Sequence, residues 1–385
     1  MESPMKELIL RPLGIDVPIF GFSHCRDVVL AVSKAGGMGV YGAGLHDDAT
    51  IATDIRWLEE RLEGRPYGID VMMPERYVGA ERGGLTPQDA ESLVPQVHRE
   101  FLEGGMQRYQ VPIFEGWNVQ APENAGGQRY TAQQAAGILD LAFNSRCRLL
   151  VSALGTPPAW VIDRAHEQGR MVGALAGRLK HALKHRDAGV DIIIAQSYEA
   201  GGHTGDIAGM VLVPQIVDAV APLPVLAAGG IADGRQMAAA LALGAAGVWC
   251  GSAWLATVGS EGSPLMRGKL GRATSEDTLR TRALTGKPAR LLRSAWTDEW
   301  ESENAPPTLP NPLHSIAIGP YWRRIEHAEQ SGRYRPEEGA GALITKPVGQ
   351  VVGMMNEETS VRAVMTRMSE QCASVIASLN EALEE

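Results

Sequence analysis

A histidine within a glycine-rich turn is the feature of this sequence best suited to chemistry. The turn, residues 199–205 (EAGGHTG), follows residues 191–195 (DIIIA), a short β-branched run that predicts a strand buried on both faces. Glycines at a strand end let the backbone adopt positive φ angles and approach a planar ligand closely. Imidazole titrates near neutrality, so His203 is suited to exchange a proton with a bound substrate or to donate a hydrogen bond. The alternative is a histidine that only stabilises the loop.

Two further glycine turns have the composition of a phosphate site. Residues 224–231 (PVLAAGGI) and 247–252 (GVWCGS) each predict a strand that ends in glycine. Between them, Asp233 is a candidate N-cap for a helix. Free backbone N–H groups near a helix N-terminus form a nest for anions. The nest predicted here would use four residues: Gly229, Gly230, Gly251 and Ser252.

The same pattern of strand, turn and helix recurs along the chain and predicts the fold. With the three strands above, further short apolar runs make a total of about eight strands alternating with helices. These runs are residues 17–21, 39–42, 67–73, 149–154 and 171–176. We therefore expect an α/β protein with a TIM-type (β/α)8 barrel. No Gly-x-Gly-x-x-Gly sequence follows the first strand, so a dinucleotide-binding open sheet loses its main support.

Two segments exceed what the barrel needs. Residues 74–146 are far longer than an ordinary loop, so we expect an insertion after the third strand. It carries two helical patches, residues 88–102 and 132–144, joined by a polar connection. Residues 257–346 are rich in proline, arginine and tryptophan and are expected to form a small substrate-binding cap over the barrel mouth. Residues 347–385 should form a turn and a helix that packs back on the barrel. The barrel domain itself is expected to span residues 1–256.

Composition restricts the class of ligand. The 385 residues are 44% hydrophobic, ample for a barrel of roughly 250 residues with two additions. A net charge of −9 without a basic run argues against nucleic acid and anionic membranes, so we expect a small-molecule substrate. No secretion signal and no membrane-spanning apolar stretch occur, which favours a soluble, cytoplasmic protein. The four cysteines are widely spaced and favour neither disulfides nor a metal site.

Seven short motifs occur in a fixed order along the chain. They are residues 32–39 (VSKAGGMG), 66–70 (PYGID), 199–205 (EAGGHTG), 227–235 (AAGGIADGR), 251–254 (GSAW), 285–290 (TGKPAR) and 349–353 (GQVVG). A single Gly-Gly-Ile turn is found in several phosphate-binding barrels, but the ordered set resembles the nitronate monooxygenase family, formerly called 2-nitropropane dioxygenases. The resemblance covers most of the chain. It implies a β/α barrel that contains FMN and oxidises alkyl nitronates, or similar stabilised carbanions, with dioxygen.

The resemblance also implies which residues form the site. The FMN phosphate would lie on the glycine nest, and the isoalloxazine ring would lie between the first-strand loop, Gln196 and the glycine turn. His203 would be the catalytic residue, and His24 is a candidate for substrate binding. The residues assigned to FMN in this way are Gly21, Phe22, Asp70, Lys180, Gln196, Gly201, Gly202, Gly229, Gly230, Gly251, Ser252 and Gln350.

Two positions depart from the family pattern. Where this chain has Asp70, the family usually has an amide, and a carboxylate there would repel an anionic reduced flavin unless it is protonated or paired, for example with Lys180. Residues 20–25 (FGFSHC) replace the turn of small residues and methionine that many members have under the flavin. Both changes bear on nitronate activity more than on FMN binding.

Several alternatives stay open at this stage. Lys180 is alternatively an exposed lysine at a helix start, Gln196 a strand-end amide paired with backbone, and His24 the cap of a short helix. At the level of function, the first alternative is an NAD(P)H-dependent FMN reductase acting on quinones or enoyl thioesters. The second is a barrel that binds FMN or a phosphorylated ligand without turnover. Neither a nicotinamide pocket nor a basic docking patch is evident in the sequence.

Overall fold

A closed barrel of eight parallel strands forms the centre of the protein. The computed structural model describes residues 9–74, 77–82, 85, 89, 92–115, 117, 132–335 and 337–384. The strands in chain order are β1 (Ile19–Ser23), β2 (Met38–Gly42), β3 (Tyr67–Val71), β4 (Leu149–Ser152), β5 (Met171–Ala176), β6 (Ile192–Gln196), β7 (Gly202–His203), β8 (Val225–Ala228), β9 (Gly247–Cys250), β10 (Thr278–Thr281) and β11 (Ala289–Leu292). The barrel order is β1-β2-β3-β4-β5-β6-β8-β9, closed by pairing of β9 with β1, which confirms the predicted (β/α)8 fold.

Helices alternate with the barrel strands and continue beyond them. In chain order they are α1 (Arg11–Leu13), α2 (Arg26–Lys34), α3 (Asp48–Arg61), α4 (Gln96–Arg108), α5 (Ala132–Phe143), α6 (Ala159–Glu167), α7 (Leu179–Asp187), α8 (Gly209–Val220), α9 (Gly234–Ala242), α10 (Pro264–Arg272), α11 (Ala295–Trp300), α12 (Leu313–Gln330), α13 (Gly339–Leu343) and α14 (Val361–Glu384). Asp233 caps α9 as predicted, because its carboxylate accepts from the N–H groups of Arg235 and Gln236. Within the described ranges, no helix combines the length and apolar composition needed to cross a membrane.

Alternation along the strands divides the barrel core into two layers. In β6, Ile192 and Ile194 belong to the cluster that fills the barrel, whereas Ile193 and Ala195 belong to the layer beneath the helices. Both layers are apolar, which explains why the strands have continuous β-branched sequences instead of alternating polar ones. Within β6, the polar side chain is therefore confined to the carboxyl end, at Gln196.

A second hydrophobic core lies outside the barrel and includes part of the insertion. The helix α4, from the segment between β3 and β4, contributes Leu102 and Met106 to this core. They join Trp296 and Trp300 of α11, together with side chains of α10, α12 and α13. The first helical patch predicted in the insertion, residues 88–102, overlaps α4, and Asp89 and Ser92, which precede α4, are also helical. Residues 118–131, predicted to be a polar connection, lie outside the described residues.

The C-terminal helix packs against the barrel wall. The helix α14 contacts α9 and α2, and its buried residues include Val361, Met365 and Met368. A side chain at Gly234, the first residue of α9, would begin 2.4 Å from both the backbone nitrogen of Cys372 and the carbonyl oxygen of Met368. Glycine at this position therefore permits the close approach of the two helices.

We expect Gly234→Ala to lower the free energy of unfolding by about 1–3 kcal/mol, because the methyl group meets backbone that must move. Urea unfolding followed by tryptophan fluorescence measures this change. The matched control is Gly268→Ala in α10, where the added methyl group has only the guanidinium of Arg272 nearby, at 3.9 Å. That control should be neutral or stabilise by up to about 1 kcal/mol, since glycine is a poor helix residue. Equal stability of the two variants would contradict the packing argument.

Candidate active site

A cavity of about 290 Å³ opens at the carboxyl ends of the barrel strands. This is the face where enzymes with this fold carry their chemistry. Side chains from the cap, including Thr285 and Lys346, complete its wall. The sequence-predicted residues that line it are Phe22, His24, Asp70, Gln196, Gly201, Gly202, His203, Gly229, Gly230, Gly251 and Ser252.

Three predicted residues do not line this cavity. Gly21 lies between the inward-facing Phe20 and Phe22, so a side chain there would point outwards and meet Val32 at 2.6 Å. Lys180 is exposed and lines a neighbouring cavity instead. The backbone N–H of Gln350 donates to the carbonyl oxygen of Glu199 at 3.0 Å. Gly349 and Val351, on either side of Gln350, line the cavity, but Gln350 does not.

The glycine nest has the conformation that a phosphate group requires. Gly229 and Gly230 have φ angles of 96° and 73°, in the left-handed region that glycine tolerates. Among the turns and loops described, neither of their N–H groups, nor those of Gly251 and Ser252, donates to a backbone carbonyl. The hydroxyl oxygen of Ser252 accepts from the N–H of Gly349 at 2.8 Å, which leaves its proton to donate elsewhere. These groups have the donors that a phosphate group needs.

His203 is positioned by a strand that the sequence did not predict. Gly202 and His203 form β7, which pairs with Ala289 and Arg290 of β11 in a three-stranded sheet of order β10-β11-β7. The Nε2 atom of His203 lies 2.8 Å from the hydroxyl of Thr285. Burial, assisted by the charge of Lys287, lowers the pKa of His203 to about 4. The imidazole is therefore neutral at physiological pH and is oriented by the cap.

His24 is a second neutral imidazole in the cavity wall. Its Nδ1 atom lies 2.6 Å from the carbonyl oxygen of Gly42. A carbonyl can only accept, so Nδ1 carries the proton and the Nε2 lone pair remains available. Burial lowers the pKa of His24 to about 4, with smaller contributions from His46 and Lys346. No side chain caps α2, so the alternative role of His24 as a helix cap is wrong.

Asp70 is a buried acid at the end of β3. It is 4% exposed, and within the described part of the chain it has no hydrogen bond or ion pair. Asp70 does not pair with Lys180, because Lys180 borders the other cavity. Burial raises the pKa of Asp70 to about 8, so the group is mostly protonated at neutral pH. A protonated carboxyl can donate a hydrogen bond, as the family's usual amide does.

Lys346 is a candidate functional residue of the cavity wall that sequence reasoning missed. It is the one cationic side chain among the described residues that line the cavity. Its Nζ donates to the carbonyl oxygen of Glu261 at 2.9 Å, and burial lowers its pKa. The sequence signal that could have identified Lys346 is its position three residues before the motif at residues 349–353.

The acidic side chains in the wall compensate only part of this positive charge, since the charge of Glu261 raises the pKa of Lys346 but does not cancel the effect of burial. Asp70 is mostly neutral, as argued above. Both carboxylate oxygens of Glu199 accept from the N–H of Gly209, at 3.1 and 3.2 Å, where they stabilise the start of α8. Glu261 is exposed at the cavity edge. The cavity is therefore suited to an anion.

A second, larger cavity of about 660 Å³ adjoins the first. The two share Gln196 and His203, together with Ala153 and Leu175. Its wall includes five lysine and arginine side chains, which are Arg178, Lys180, Lys184, Arg280 and Lys287. A basic surface that no run in the sequence indicated is thus assembled by the fold.

Comparison with known proteins agrees with the site. Residues 3–371 match the nitronate monooxygenase family. The chain belongs to this family. It is therefore an oxidoreductase of the nitronate monooxygenase family, as the sequence motifs predicted.

Individual relatives differ in how closely they match this family member. Rv1533 of Mycobacterium tuberculosis H37Rv, whose name suggests a monooxygenase, is 48% identical over 375 residues, which are 97% of this chain and 98% of the relative. A Staphylococcus saprophyticus protein, whose name suggests a nitronate monooxygenase, is 29% identical and matches 87% of this chain and 93% of its own.

Solved structures show the same architecture. The nitroalkane oxidase of Streptomyces ansochromogenes superposes with a TM-score of 0.76 at 26% identity and covers 98% of this chain and 100% of its own. FabK of Thermotoga maritima has a TM-score of 0.68 at 24% identity over 97% of this chain and 98% of its own. The likeness to FabK is one of fold alone.

We expect Asp70→Asn to become progressively more stable than the native protein as pH rises from 3.8 to about 8. Over this range the native state keeps a proton that the unfolded chain releases, so ionisation of Asp70 opposes folding, and asparagine does not ionise. Urea unfolding at a series of pH values measures the gap, which should level off above pH 8. The exposed Asp218→Asn is the control and should follow the native protein. A constant gap for Asp70→Asn would contradict a neutral carboxyl.

Proposed function

We propose that this oxidoreductase oxidises alkyl nitronates, or similarly stabilised carbanions, with dioxygen and with FMN as its cofactor. The observation that carries the proposal is the charge of the barrel-mouth cavity. Lys346 is half-buried there, while of the three acids of the wall one is mostly protonated, one is occupied by the N–H group of Gly209 and one is exposed at the edge. A small anion is the substrate that such a wall favours.

FMN is the cofactor that the polar groups of the cavity fit. Gly229, Gly230, Gly251 and Ser252 would hold its phosphate through backbone N–H groups and the Ser252 hydroxyl. Gln196 and protonated Asp70 would donate to the polar edge of the ring, where the neutral acid replaces the amide of other members. When bound, FMN supplies the two-electron oxidation of the carbanion and passes the electrons to dioxygen.

The protein's own residues would bind and orient the substrate. Lys346 would pair with the nitronate oxygens in a charge-assisted contact. His24 presents an unprotonated Nε2, and His203 is held by Thr285 in a single orientation. An imidazole with a pKa near 4 is a weak base at neutral pH. The site therefore suits a substrate that arrives as an anion better than one that the enzyme must first deprotonate.

We expect Gly251→Ala to weaken FMN binding about tenfold or more without destabilising the flavin-free protein. Gly251 has φ of −114° and ψ of −59°, which alanine adopts. The added methyl group would meet only Phe22, at 3.7 Å, and would occupy cavity space. Quenching of FMN fluorescence measures affinity, and thermal unfolding of the flavin-free protein measures stability. The loop variant Gly262→Ala is the control. Unchanged FMN affinity in Gly251→Ala would contradict this location of the cofactor.

We expect a small alkyl nitronate to bleach the flavin of the native protein under anaerobic conditions, with recovery when air is admitted. NADH and NADPH should cause little change.

In steady-state oxygen consumption, Lys346→Gln should raise KM for the nitronate about tenfold or more and change kcat less, because a charge-assisted contact is lost. Lys34→Gln, which removes a surface lysine paired with Glu63, is the control. Rapid bleaching by NADPH and none by the nitronate would overturn the proposed function in favour of a reductase.

A further inference from the structure

We propose that the basic cavity beside the active site binds an organic diphosphate. Such a site is independent of the proposed nitronate chemistry, because it uses a different set of side chains. Three features support it: the cavity's charge, the lack of ion-pair partners for two of its lysines, and its connection to the active site.

The charge of the cavity wall is strongly one-sided. Five lysine and arginine side chains line it, whereas Asp206 is the one carboxylate among its described lining residues. The chain as a whole has a net charge of −9, so this concentration of cations opposes the general character of the protein. Such a wall attracts a multiply charged anion far more strongly than it attracts a neutral or singly charged ligand.

Asp206 organises two of these cations. It forms ion pairs with Arg178 and with Arg280, the latter at 2.5 Å between Nη1 and Oδ1. The Nε atom of Arg280 is buried and has no hydrogen-bond partner in the described structure. A buried donor without a partner is unfavourable, and an anion in the cavity would satisfy it.

Two of the lysines provide charge that no carboxylate in the described part of the chain balances. Lys180 and Lys287 form no ion pair with any residue in the described part of the chain. Lys287 is half-buried, and burial lowers its pKa, which shows that its positive charge lacks compensation. Lys180 and Lys184 are four residues apart on α7 and so occupy the same helix face.

The start of α7 adds to this attraction. The helix begins after Arg178, and no side chain caps its N-terminus. Gly177 and Arg178, the two residues that precede the helix, line the cavity. The unpaired N–H groups of a first helical turn attract an anion that lies beyond the helix end. Two phosphate groups could thus be held by different sets, one near α7 and one near Lys287 and Arg280.

The cavity also leads to the reacting groups. Gln196 and His203 line both cavities, so a ligand anchored by its phosphates in the basic cavity can extend towards the barrel mouth. At about 660 Å³ the basic cavity is larger than a simple nitronate requires. The size and charge together match the diphosphate portion of a nucleotide or of a pantetheine-type thioester carrier.

The test is calorimetric titration of FMN-loaded protein at low salt, so that the glycine nest is already filled. The first probe is inorganic pyrophosphate, and the further probes are ADP, NADPH and coenzyme A. The double variant Lys180→Gln/Lys287→Gln should raise Kd for at least one diphosphate probe about tenfold or more, since two charge-assisted contacts are lost. The matched control, Lys34→Gln/Arg186→Gln, removes two surface cations away from the cavity and should leave Kd unchanged.

The probes identify the source of the diphosphate. Tightest binding of NADPH or of coenzyme A, lost in the double variant, supports the site and names the class of molecule that carries the diphosphate. The proposal is overturned if no probe binds, or if the control variant weakens binding as much as the double variant does. Nitronate turnover in the same preparation is measured separately, so failure of the diphosphate site and failure of the proposed oxidation are distinguishable.

Discussion

The attachment of the glycine turn to the cap is the interaction on which the site depends. Strand β7 consists of only two residues, and it exists because β11 of the cap pairs with it. Arg290 of β11 is 2% exposed, donates through Nε to the carbonyl of Tyr198 at 3.1 Å, and lies over the Tyr198 ring. His203 is thereby held between the barrel and the cap. Without this pairing, the loop after β6 would have no fixed register, and Thr285 would not meet the imidazole.

The second organising feature of the active-site cavity is the burial of titratable side chains without a partner of opposite charge. Desolvation keeps two histidines unprotonated and one aspartate protonated, so three titratable groups contribute hydrogen-bonding capacity instead of net charge. Lys346 then dominates the local potential. In the adjoining cavity the balance is different, because ion pairs with Asp206 orient two arginines while Lys180 and Lys287 remain uncompensated. The two cavities therefore present different electrostatic environments on either side of His203.

Sequence patterns predicted most of the barrel because strands and caps are local features. The run before Gln196, the glycines at 229 and 230, and the Asp233 cap all depend on neighbours within a few residues. Less of the cap was predictable. The 18-residue cap helix α12 contains Pro320, and proline within a helical pattern removes the usual signal. The barrel helix α8, which contains Pro214, was missed for the same reason. The end of the insertion helix α4 was missed, because Gly104 and Gly105 interrupt the local helical pattern, whereas the helix continues to Arg108 and packs Met106 in a core built from distant segments.

The sequence by itself determined the family, the (β/α)8 barrel, the glycine turns and the position of His203 beside them, because these depend on ordered motifs and short-range periodicity. Only the tertiary structure decided the ionisation of Asp70, the tautomer of His24 and the partner of His203. It also decided that Lys180 serves a second cavity and that Lys346 enters the first. These properties depend on desolvation and on contacts between residues far apart in the chain, such as His203 with Thr285, and no local pattern encodes them.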